Sequence, residues 1–176
     1  QFTGDIRAIA NRAVGDISDE AAKAVSEKLR SGKLPPVHEA ALATAFSFLH
    51  YGHFEQALIQ ACTACETLLT HALHTDLAAR GASKSQLDRA MGDVGFSQLL
   101  NLHLFSMSGF GSLPNHQELL GRANWARKRR NEIVHYGRSQ QELNQANVSR
   151  AIDSVAHIMQ HVASECLDSE GAATGC

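Results

Sequence analysis

Apolar residues recur every three to four positions along nearly the whole chain, and no stretch alternates with period two for long enough to make a strand. This regularity confines the chain to packed helices. Composition agrees: the sequence holds 26 alanines against three prolines and two tyrosines. An N-terminal pair of amphipathic segments is expected first. One carries Ile6, Ile9, Ala10 and Ala13 behind a Thr3 cap, and the other runs from Ser18 to Arg30. The SGKLPP stretch over 31–36 then reads as a linker.

The main body opens at Pro36, a residue suited to the first turn of a helix. The spacing predicts a helix from about Val37 to His50, with Leu42, Ala45, Phe46 and Leu49 inward and Gly52 as its break. A longer helix is expected from Phe54 to Ala79, burying Leu58, Ala61, Cys62, Cys65, Leu68, Leu69 and Ala72, with Gly81 as its stop. Two short helices follow, around LDRAM and FSQLLNLHLF, and then an irregular GFGSLP loop. Asn115 is positioned to cap HQELLGRANWARKRRNEIVHY, and Gly137 to end it. Ser139 and Glu142 have the spacing of a capping box for a last helix striped by Val148, Ile152, Val155, Met159 and Val162. The expected architecture is all-α: an antiparallel helical bundle over 36–167, an N-terminal helical extension over 1–35, and a disordered polar tail over 168–176.

Several function classes fall away. A chain of 176 residues has the size of one domain, and its 19% charged content is that of a folded protein. No run of 18 apolar residues is present to span a membrane, and the N-terminus lacks the apolar region of a signal peptide. The chain begins at Gln1 without a Met, which reads as a piece of a longer protein. Cysteines at 62, 65, 166 and 176 form no disulfide framework, so a reducing, cytoplasmic setting is expected. Cys62 and Cys65 with His71 and His74 mimic a zinc set, but a single continuous helix cannot wrap four ligands around one ion. Neither a metal nor a cofactor is expected.

One stretch departs from the average. Between Arg122 and Arg138 lie six cations (Arg122, Arg127, Lys128, Arg129, Arg130, Arg138) against one carboxylate, Glu132, in a chain whose formal charge is −2. Such a concentration is the footprint of a polyanion site, although a solvated helix face carries the same pattern. Within it stands Arg130-Asn131-Glu132-Ile133-Val134-His135. Asn131 and His135, four apart, project from nearly one face, and the long Arg130 side chain can reach the same surface. Ile133 and Val134 are expected to anchor the helix in the core. Each polar group has a use in cleaving a phosphodiester. A guanidinium grips phosphate oxygens in a fork, an imidazole moves a proton near neutral pH, and an amide orients its neighbours without adding charge. An RNA 2′-hydroxyl supplies its own nucleophile.

The RNEIVH stretch resembles the Arg-x4–6-His signature of HEPN domains. The flanking order fits as well, with Gly52 leading into an Ala-rich helix that carries Glu66, and Gly137 leading into a long final helix. The resemblance spans about residues 37–166 and leaves 1–35 without a counterpart. It implies an all-helical homodimer whose motif helices meet across a cleft. It also implies a metal-independent endoribonuclease, in which paired Arg130 and His135 residues form a composite site and leave 2′,3′-cyclic phosphate ends. Asn131 joins them as a candidate catalytic residue, and Glu66 as a partner behind the motif. Arg127, Arg129 and Tyr136 are candidate contacts to single-stranded RNA. Histidines 38, 50, 53, 71 and 74 are possible second proton carriers. The resemblance further implies a defence, stress or toxin–antitoxin setting, with an antitoxin or fused regulatory domain as partner. Two other functions stay open: a non-catalytic dimerisation or nucleotide- or RNA-binding module of a larger protein, and a scaffold whose basic helix meets an acidic protein.

Overall fold

A computed structural model describes residues 35–106 and 115–173, which form six helices and no strand. They are α1 (Val37–His50), α2 (Phe54–Ala79), α3 (Lys84–Asp93), α4 (Phe96–Ser106), α5 (His116–Tyr136) and α6 (Gln145–Ala173). The expected N-terminal helices, most of the SGKLPP linker and the GFGSLP loop lie outside the described residues.

The helix α2 is the centre of the bundle, and each of the other five packs against it. Its sequence explains why. Of its nine buried residues, four are alanines and two are cysteines, so neighbours on several sides can approach the backbone closely. Leu58, Leu68 and Leu69 fill the gaps between these small residues. The α6 stripe of Val148, Ile152, Val155, Met159 and Val162 closes the core from one side, as its spacing predicts. Trp125 of α5 packs on the core while remaining partly accessible.

Chain reversals fall where local chemistry permits them. Gly52 follows α1 at φ 78°, in the left-handed region where a side chain is strained. Ser83 makes a reciprocal cap for α3: its amide donates to Gln86 Oε1 at 2.8 Å, and its Oγ accepts the Gln86 amide at 3.4 Å. Gly137 ends α5 at φ 74°, with its amide donating to Ile133 O at 2.8 Å.

Three sequence expectations need correction. Asn115 stands before α5 but takes φ 60° itself and makes no side-chain cap. The α6 cap is Asn144, whose Oδ1 accepts the Asn147 amide at 3.0 Å; Ser139 instead closes a local turn by accepting the Gln141 amide at 3.2 Å. Helix α6 also continues past Asp168, where a disordered tail was expected, as far as Ala173. Among the described residues no helix is long and apolar enough to cross a membrane.

Candidate functional site

The C-terminal half of α5 carries the motif. Its inward positions are Ala123, Ala126, Arg129, Glu132 and Ile133, which leaves Arg130, Asn131, Val134, His135 and Tyr136 at or near the surface. The motif therefore splits between the core and solvent at each turn.

Arg130 is half-buried and leans toward α2. Its Nη2 lies 3.8 Å from Glu66 Oε2, and its Nη1 donates to Asn131 Oδ1 at 3.1 Å. The Glu66 contact is the across-helix pairing anticipated for that carboxylate. Both partners are too accessible for it to weigh much in stability; its effect is to hold the guanidinium. Asn131, through the same hydrogen bond, links the Arg130 side of the helix to its own. His135 follows one turn later on the Asn131 face, exposed, with its ring edge-on to Tyr136 at a centroid distance of 6.4 Å. Five helical steps lead from Arg130 to His135, which corresponds to roughly 140° of rotation and about 7.5 Å of rise. Arg130 and His135 thus flank Asn131 on either side.

Arg129 departs from its expected role. It was grouped with Arg127 as a phosphate contact, yet only 3% of it is exposed. Its Nη2 pairs with Glu132 Oε1 at 2.9 Å, and its Nε and Nη1 are buried with no hydrogen-bond partner. A guanidinium so enclosed is held by its carboxylate and cannot meet a polyanion. Val134 also differs from expectation: it is 55% exposed, because it follows Ile133 around the helix and leaves the core.

These pairings thin the positive patch. Arg122 is engaged by Glu118, Arg129 by Glu132, and Arg130 by Glu66. Arg127, Lys128 and Arg138 have no carboxylate partner among the described residues, and Arg127 Nε donates to Asn124 Oδ1 at 3.4 Å. Tyr136 is 69% exposed at the same helix end, available for stacking.

Other sequence candidates fall elsewhere. Cys62 and Cys65 are buried free thiols of α2. Burial pushes Cys62 up to about 12 against the pull of the nearby Arg130 guanidinium, and pushes Cys65 up likewise. Neutral thiols of this kind are packing groups rather than nucleophiles. No metal-holding group of three or more His, Cys, Asp or Glu occurs among the described residues. His50 and His53 flank the α1–α2 turn, with rings against Tyr51 and Phe48. A cleft of about 650 Å³ separates the start of α5 from α6, where Asp153, His157 and His161 face Glu118 and Arg122. A second, of about 320 Å³, lies between the α1–α2 turn and residues 139–143. Arg130, Asn131 and His135 line neither; Arg130 and Asn131 are partly buried and His135 is exposed. Compared with known proteins, the chain matches no family model, no curated protein and no solved structure.

Proposed function

We propose that this chain is a HEPN-type, metal-independent endoribonuclease whose active site is completed by a second copy. The observation that carries the reading is the Arg130–Asn131 hydrogen bond at 3.1 Å, with the His135 imidazole one turn beyond on the Asn131 face and open to solvent. It supplies a fixed phosphate fork and an accessible proton carrier on one helix end.

In this reading one imidazole removes the proton of an RNA 2′-hydroxyl, whose oxygen attacks the adjacent phosphorus. The bond to the 5′-oxygen breaks, and an imidazolium returns a proton to the leaving oxygen. Arg130 stabilises the charge that gathers on the phosphoryl oxygens. The products are a 2′,3′-cyclic phosphate and a 5′-hydroxyl. Each copy brings one motif imidazole, so the two proton transfers are shared between copies facing across a cleft. The exposed position of His135 supports this. Asn131 orients Arg130, Glu66 holds it from behind, and Arg127 and Tyr136 bind flanking phosphate and base.

The test is cleavage of single-stranded RNA by the purified chain, with ends identified by mass spectrometry. Arg130→Ala and His135→Ala are each expected to lower the rate by about 10²–10⁴-fold with helical content unchanged, and EDTA should leave cleavage intact. RNA that is bound at low salt but never cut would establish the non-catalytic module instead. No RNA binding even at low salt would favour the protein scaffold.

A further inference from the structure

The chain leaving α5 is held at two consecutive amides by carboxylates from two different helices. The Ser139 amide donates to Glu55 Oε1 of α2 at 3.3 Å, and the Gln140 amide donates to Glu132 Oε2 of α5 at 3.0 Å. Glu132 is itself fixed, because its other oxygen sits 2.9 Å from Arg129 Nη2 and both side chains are buried. A buried ion pair adds little stability over apolar residues of the same volume. What this one supplies is direction: an acceptor locked in place for a single loop amide. The stretch it restrains follows directly on the last turn of α5. The Gly137 amide closes that turn on Ile133 O at 2.8 Å, and the clamp fixes the chain just beyond it. His135 is exposed in that turn, so its position depends on the backbone beneath it.

We propose that Glu55 and Glu132 form a two-armed carboxylate clamp that positions the last turn of α5, and with it the His135 imidazole, while Arg129 keeps Glu132 in its accepting orientation. All three are positioning residues, and none touches substrate. The effect on cleavage rests on the nuclease reading; the clamp itself is a statement about backbone order. Arg129 thereby gains a role that its place in the basic run conceals.

Changing Glu132 alone would strand the buried Arg129 charge and can unfold the chain, so the test uses uncharged double variants of the full chain. R129M/E132Q keeps an amide oxygen for the Gln140 amide, whereas R129M/E132M removes it. Glu55→Ala removes the other arm at a partly exposed position. Hydrogen exchange at Ser139 and Gln140 and NMR relaxation at His135 report the clamp, and kcat and KM on single-stranded RNA report its consequence. In R129M/E132M the Gln140 amide should exchange about tenfold faster, the loss expected for one hydrogen bond. His135 order should fall, and kcat should drop about 10–100-fold with KM unchanged. R129M/E132Q should restore all three, and Glu55→Ala should free the Ser139 amide. Gln140 exchange and His135 order that stay at wild-type values in R129M/E132M would overturn the clamp, as would an R129M/E132Q variant no better ordered than its partner. If the wild-type chain leaves RNA whole, the nuclease reading falls, and the exchange and relaxation data decide the clamp on their own.

Discussion

Cys62 shows how one side chain reports on the ground beneath the motif. In the unfolded chain its thiol ionises at about the ordinary 9.0, whereas in the fold burial pushes it up to about 12. The unfolded form therefore gives up its proton first as pH rises. The stability this group contributes is complete below 9.0 and is lost progressively between that value and about 12. Near neutral pH, iodoacetamide should leave Cys62 and Cys65 unlabelled in the native protein and modify them only on unfolding, as peptide mass spectrometry can check. Rapid native labelling at either position would mean that the helices packed on α2 separate easily. Arg129 marks the limit of what single residues disclose in a sequence. Its neighbours Arg127, Lys128 and Arg130 share its charge, and nothing local says which member of the run turns inward. Its partner Glu132 stands three residues on, and the burial that gives the pair its force comes from packing across the bundle.

Helices were far more legible than their caps. The bounds expected for α1, α2 and α5 agree with the structure, because glycines at 52, 81 and 137 punctuate the apolar period. The start of α6 was misplaced for a physical reason. Ser139 and Glu142 have capping-box spacing, yet the 139–141 segment is committed to Glu55, Glu132 and its own turn, and the helix begins only when Asn144 offers its side chain. Substitutions separate the two possibilities. Asn144→Ala should destabilise the fold by about 1 kcal/mol, the usual loss for an N-cap, with the change read from denaturant midpoints. Ser139→Ala, which removes only the turn contact at Gln141, should cost a few tenths of that. The reverse order would place the α6 cap back at Ser139. At the site itself, the helix bearing Arg130, Asn131 and His135 and the helix bearing Glu66 could both be identified in advance. The 3.8 Å approach of Glu66 to Arg130 depends on how α2 and α5 pack, which periodicity does not encode.

Taken whole, the molecule is less basic at its motif than a count of its letters suggests. Three of the six cations between Arg122 and Arg138 are already paired with carboxylates. Binding to single-stranded RNA should therefore follow Arg127, Lys128 and Arg138 together with Arg130, whose Glu66 contact is loose at 3.8 Å, with a logarithmic salt dependence of slope about −3 per chain, against about −4 if all six took part. Fluorescence anisotropy across a salt series measures it, and the steeper slope would mean that RNA breaks the internal pairs. The arrangement around α2 has a different kind of consequence. All five of the other described helices pack on α2, so none of them has a core independent of it. Melting should then be all or none, and damage to the small residues of α2 should loosen all five helices that rest on it.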